Sequence, residues 1–139
     1  MSYKIIGKYI KDLNFNIPDP ETFFSLPKNI SNYKINIDIK SSKFKNKIIE
    51  IQTTLGLYPT KKKLKEINTK IIYSTIVELT DEITDKQEVE KIILIKVPTS
   101  IYPDLRKIFV FLFENSGFKE VNIARSVDFQ KLYQLRKIQ

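Results

Sequence analysis

Between residues 33 and 79 the chain alternates apolar and polar side chains in three successive runs, and few architectures can use such a pattern. Tyr33, Ile35, Ile37 and Ile39 interleave with Lys34, Asn36, Asp38 and Lys40. Ile49, Ile51, Thr53, Leu55 and Leu57 repeat the alternation, and Ile67, Thr69, Ile71, Tyr73, Thr75, Val77 and Leu79 repeat it again. Successive side chains of a strand point to opposite faces, so each run reads as a strand with one dry and one wet face. The polar stretches 41–47 and 59–63 read as turns. Short connections between such strands imply an antiparallel sheet. The first 16 residues read as a further strand. There Ile5, Tyr9, Leu13 and Phe15 share one parity and Ile6 and Ile10 fall on the other, so both faces are partly covered. Its long connection to the next strand permits a crossover.

That connection, from Ile17 to Pro27, holds three prolines, which forbid a central strand or a helix interior. It reads as a loop carrying Phe23, Phe24 and Leu26. Such a loop either plugs its own core or helps form an apolar groove. After residue 80 the period changes. Thr84 and Gln87 have capping-box spacing, Val89, Ile92 and Ile93 follow at helical spacing, and Pro98 is expected to stop the run. After Pro103 a second helix is expected, with Leu105, Ile108, Phe109 and Leu112 in one stripe. Val110, Phe111 and Phe113 lie away from that stripe, so this helix is apolar nearly all round. Self-association through Val110, Phe111 and Phe113 would cover the second face, and so would the terminal helix. Asn115-Ser116-Gly117 ends the helix. A last helix begins near Asp128 and aligns Phe129, Leu132 and Tyr133. The expected fold is one α+β domain over residues 1–139, a four-stranded antiparallel sheet with helices packed on one face.

Chemistry is bounded by what is missing. There is no cysteine and no histidine, which removes thiolate sites, the Ser-His-Asp triad and the usual zinc hydrolase centre. No G-x-x-x-x-G-K-[ST] phosphate loop is present, no acid–base pair stands out, and neither a cofactor, a metal nor an enzyme activity is expected. The net charge is +8, with residues 31–70 strongly basic and residues 71–100 acidic. A basic surface points to nucleic acid, an anionic membrane or an acidic partner. Lysine and isoleucine far outnumber arginine, which an AT-rich genome produces by codon usage alone. A nucleic-acid-binding module would set its aromatics on the wet face among the lysines, yet Tyr33 and Tyr73 share parity with the dry isoleucines. The longest apolar run, Ile108 to Phe113, is far short of the roughly 20 residues of a membrane span. No cleavable leader is visible at the start. A soluble, cytoplasmic protein is expected.

Three ordered blocks carry a family resemblance. Tyr9-Ile10-Lys11-Asp12-Leu13-Asn14-Phe15-Asn16-Ile17-Pro18 resembles the opening strand of the SecB export chaperones, Y-[IV]-K-D-[LI]-S-F-E-x-P. Pro98-x-x-Ile101-Tyr102-Pro103-x-x-Arg106 is similar to the pattern before that family's long helix. Gly117-Phe118, Val121-x-Ile123 and Val127-Asp128-Phe129-x-x-Leu132-Tyr133 resemble its ending. The resemblance implies an ATP-independent chaperone, assembled as a dimer of dimers, that keeps unfolded precursor proteins export-competent and passes them to SecA and the Sec machinery. It implies a client groove holding Phe23, Phe24, Leu26 and Ile30 on one side and Phe129, Leu132 and Tyr133 on the other. It also implies a SecA contact at Asp12. Two departures bear on SecA: Asn16 and Lys70 stand where the family has glutamates. A related branch of the family protects antitoxins instead of exported precursors, which is an alternative role.

Overall fold

The computed structural model of the chain describes residues 2–29, 33–60, 68–80, 85–118 and 123–138, and at 28, 29, 68 and 136–138 it describes the backbone alone. Four strands, β1 (Tyr3–Asn16), β2 (Tyr33–Lys45), β3 (Ile48–Pro59) and β4 (Asn68–Leu79), form one antiparallel sheet in the order β1-β4-β3-β2. The first connection therefore crosses over, as its length allowed. Odd-numbered residues of β2, β3 and β4 pair across the sheet, for example Ile39 with Thr53 and Leu55 with Ile71, and share the dry face.

In β1 the alternation is broken twice. Register shifts between Ile5 and Gly7 and between Ile10 and Asp12 each insert one residue. An inserted residue moves the rest of the strand to the opposite parity. Ile5, Ile10 and Leu13 thus stand opposite Val77, Tyr73 and Ile71, all dry-face positions. Tyr9 stands opposite Ser74, on the wet face. Ile5, Ile10, Leu13 and Phe15 are thus one face interrupted by two bulges, while Tyr9 lies on the other face and Ile6 is the extra residue of the first bulge.

The stretch 41–47 is strand up to Lys45, and only Asn46 and Lys47 turn. Asn46 takes the left-handed conformation, φ 42°, that a two-residue hairpin turn requires. Polarity misled here because β2 is an edge strand whose end is exposed on both sides.

The proline-rich connection contains a helix, α1 (Pro20–Asn29). Pro20 opens it, where no backbone donor is needed. The side chain of Asp19 accepts from the Thr22 amide at 2.7 Å, so it caps the first turn. Pro27 falls near the far end.

The two expected helices are one continuous run. Helix α2 (Lys86–Lys91) passes through a π-helical segment (Ile92–Lys96) into α3 (Val97–Glu114). Pro98 does not stop it. The preceding turn is widened, with the Val97 amide donating to the Ile92 carbonyl, and this relieves the crowding that a proline ring causes. The Thr99 hydroxyl donates to the Ile95 carbonyl at 2.6 Å. The N-cap of α2 is Asp85, whose carboxylate accepts from the Gln87 amide. Thr84 lies outside the described residues. Past Asn115, Gly117 adopts φ 95° and the Phe118 amide donates back to the Phe113 carbonyl at 3.1 Å, closing α3 as expected. Helix α4 (Phe129–Ile138) is capped by Asp128, which accepts from the Lys131 amide.

The core lies between the dry sheet face and α3. Ile51, Leu55, Ile71, Tyr73 and Val77 meet Val97, Ile101, Leu105, Phe109 and Phe113. The buried stripe of α3 thus runs at four-residue spacing and includes Phe113, with Ile108 and Leu112 at its margins.

Candidate functional site

The expected groove residues fall into two groups at opposite ends of α3. At its C-terminal end Phe113 is buried, 2% exposed, at the hub of Phe15, Phe109 and Phe118 rings whose centroids lie 5.0–5.9 Å away. Phe23 stacks on Phe118 at 5.1 Å, and a Cβ at Gly117 would meet the Phe23 ring at 3.2 Å. Gly117 is therefore required both by its backbone conformation and by this approach. Phe24 stands edge-on to Phe23 and is 73% exposed. Leu26, on the buried side of α1, belongs to the core. Ile30 lies outside the described residues.

Around this end opens a shallow cleft of about 640 Å³, lined by Phe15, Ile17, Pro18, Asp19, Pro20, Phe23, Phe24 and Ser116. One wall is the end of β1, another the first turn of α1. Sequence reasoning named the two phenylalanines and missed Phe15 and Ile17, which line the same cleft. Their signal was the apolar pair bracketing Asn16 just before the prolines.

The second group sits elsewhere. Phe129 is buried against Tyr102, ring centroids 6.2 Å apart, and Tyr133 is buried, while Leu132 is half exposed. At about 1.5 Å of rise per residue, Tyr102 and Phe113 are roughly 16 Å apart along α3. The structure brings Phe23 and Phe24 together with Phe15, and Phe129 with Tyr102, and does not join the two sets. Segment 123–124 is pinned to α3: the Tyr102 hydroxyl donates to the Ala124 carbonyl at 2.7 Å, and Arg106 donates to the Ile123 carbonyl at 3.3 Å. Burial raises the Tyr102 hydroxyl pKa, with the nearby Arg106 charge acting the other way.

Of the residues expected at a subunit interface, Phe111 is 61% exposed, Val110 is partly buried against the core, and Phe113 is an internal core residue. The placement of Phe113 on the outer face is corrected: the buried stripe advances by four residues per step from Ile101, and Phe113 is its last member.

The wet face holds a polar cluster that the sequence alone did not single out. Glu50 of β3 accepts from Ser74 at 2.6 Å, Tyr9 at 2.5 Å, Gln52 at 3.2 Å and Lys11 at 3.3 Å. These donors, Ser74 foremost and then Tyr9, hold its carboxyl down at about 2 against the burial that opposes them. Asp12 is exposed on the same face opposite Ile72, Asn16 pairs with Asn68, and Lys70 pairs with Asn14. Among the described residues no cluster of three His, Cys, Asp or Glu could hold a metal ion, and no helix is long and apolar enough to cross a membrane.

A family model described as preprotein translocase subunit SecB matches residues 1–139. A SecB-type protein-export protein of Pelagibacter ubique is 43% identical over 135 residues, covering 97% of this chain and 96% of that one. The protein-export protein SecB of Anaplasma phagocytophilum is 22% identical, with 94% and 90% covered. Among solved structures, a SecB-like chaperone of Mycobacterium tuberculosis in complex with a peptide from an antitoxin superposes with a TM-score of 0.66 at 7% identity, covering 91% of this chain and 88% of that one. At that identity the likeness is one of fold, and the α+β sheet-and-helix architecture is shared.

Proposed function

Because this chain belongs to the SecB family, we propose that it is an ATP-independent chaperone that binds unfolded precursor polypeptides, keeps them loose and delivers them to SecA and the Sec machinery. The observation that carries the binding part is the open aromatic cleft at Phe15, Ile17, Phe23 and Phe24. A site for many sequences must read apolar side chains and not one shape. Burying one large side chain there is worth about 1.5–3 kcal/mol. That is weak alone, and repetition of the cleft in an assembly raises the effective concentration. Self-association as a dimer of dimers belongs to this reading. Phe111 on α3 and the half-exposed Ile6, Ile10 and Leu13 of β1 are its apolar surface. The contact with SecA rests on Asp12.

The peptide held by the mycobacterial neighbour favours a second reading, in which the client is a dedicated antitoxin. A permanently unfolded precursor and an antitoxin segment, titrated in parallel, separate the two.

The cleft is tested by Phe24→Ser. Phe24 contributes little to the core, so the thermal midpoint is expected to stay unchanged. Affinity for a permanently unfolded client should fall about tenfold, the equivalent of roughly 1.4 kcal/mol. Client binding equal to that of the unaltered protein would remove Phe24 from the site.

A further inference from the structure

One end of the wet sheet face carries a small, built arrangement that client binding does not use. Gly56 on β3 stands between Asn36 of β2 and Lys70 of β4, and Lys70 in turn faces Asn14 of β1. Two residues along, Tyr58 stands opposite Lys34. All of these side chains share the even-numbered, wet face. The Tyr58 ring leans back over Gly56: a Cβ there would meet its Cε2 and Oη at 2.8 Å. Only glycine leaves that space, so the ring lies over the sheet between Asn36 and Lys70 and remains 42% exposed. Cross-strand neighbours are about 5 Å apart, which sets Lys34 and Lys70 on either side of the ring.

Among the described residues neither lysine is neutralised, since the ion pairs there are Lys8–Asp104 and Lys11–Glu50. Asp12 and Asp38 stand one row away, opposite Ile72 and Thr54, and form no ion pair with these lysines. Glu50 is further along the face and saturated by its own donors. A solvated aromatic ring flanked by two such cations matches a partner offering carboxylates on either side of an apolar side chain.

We propose that Lys34, Tyr58 and Lys70, with Gly56 as the seat of the ring, form a docking site for an extended acidic polypeptide segment. The carboxylates of the segment meet the two lysines and an apolar side chain between them packs on Tyr58. A single-stranded nucleic acid is the lesser fit. It needs a succession of rings along a groove; here Tyr9 has its hydroxyl committed to Glu50, and the exposed Phe44, with Lys45 over its ring, lies at the opposite end of β2 from Lys34. Opposite charges at an exposed face act chiefly on encounter and specificity, so binding is weak and salt-sensitive.

The test is fluorescence anisotropy with a labelled peptide of aspartate and glutamate bearing one phenylalanine, with an oligothymidylate and an unfolded client as comparators. The expected result is peptide binding that fades at high salt and survives excess unfolded client. It should weaken about tenfold in Lys34→Gln with Lys70→Gln and several-fold in Tyr58→Ala. Gly56→Ala should weaken it too, by displacing the ring. Client binding and thermal midpoints should be unchanged in these variants; a variant that melts early is replaced by Lys70→Gln alone. No peptide binding, displacement by the client, or tighter binding of the oligothymidylate lost in the same variants would each overturn the proposal. Client binding without peptide binding would overturn it and leave the chaperone reading intact.

Discussion

Phe113→Ala is expected to destabilise the folded chain by about 3–5 kcal/mol, the usual cost of deleting a buried phenylalanine ring. Phe113 is the last inward residue of α3, and its ring is the shared neighbour of Phe15, Phe109 and Phe118. Through Phe118 it also supports Phe23 and one wall of the cleft. Removing it leaves a cavity among rings that belong to β1, α3 and the turn after α3, three segments that cannot collapse together without strain. Urea unfolding reads the loss directly. Phe111→Ser provides the contrast. Phe111 faces outward two residues away, so its replacement should leave urea stability nearly unchanged and, on the proposed self-association, lower the mass read by light scattering. If Phe113→Ala kept its stability and only dissociated, the assignment of this ring to the core would be wrong.

The second large effect is expected at Glu50. Its carboxylate joins three strands, taking hydrogen bonds from Ser74 on β4, Tyr9 and Lys11 on β1, and Gln52 on β3 itself. Hydrogen bonds to a charged group contribute about 1.5–3 kcal/mol in favourable cases. The donors hold the folded pKa at about 2, below the ordinary value of 4.5. A depressed carboxyl stabilises the fold fully above the unfolded pKa. That stabilisation fades as pH falls from 4.5 through the folded value, by roughly 1–3 kcal/mol. Glu50→Gln should therefore lower stability at neutral pH and flatten the loss of stability between those pH values. The side chain is 15% exposed, so screening by solvent is limited. Equal acid sensitivity in the variant and the parent would mean that other carboxyls govern acid unfolding. Hydrogen exchange should show β1 loosening first in Glu50→Gln, since Tyr9 and Lys11 lose their charged acceptor there.

The sheet was legible because β2, β3 and β4 each present one face to the core and one to water. Their odd-numbered residues could be assigned without knowing the pairing. Strand β1 was half legible, since its two bulges spread one apolar face over both parities, and an extra residue leaves no mark in composition. The helices were misread at their prolines. Pro20 lies where a helix needs no donor, and Pro98 comes after a widened turn, so each was compatible with helix for a reason set by hydrogen bonding outside the proline itself. Phe113 was misplaced because an apolar helix gives two acceptable stripes, and only the position of the sheet chooses between them. Glu50 carried no signal as a lone acid in β3, because its partners come from strands distant in sequence. Tyr58 did carry one, as a wet-parity aromatic two residues after a glycine of the same parity in an otherwise alternating strand.

The π-helical segment bears on how chains of this kind can change length. A widened turn stores one residue more than an α-helical turn needs. Deleting a residue between Ile92 and Lys96 would convert that turn to ordinary helix while α2 and α3 kept their rotational setting. Ile101, Leu105, Phe109 and Phe113 would still meet the sheet. A deletion elsewhere in residues 97–114 would turn part of that stripe by about 100° toward solvent, given roughly 3.6 residues per turn. Gains and losses of single residues in the long helix of such proteins should therefore concentrate at this one turn.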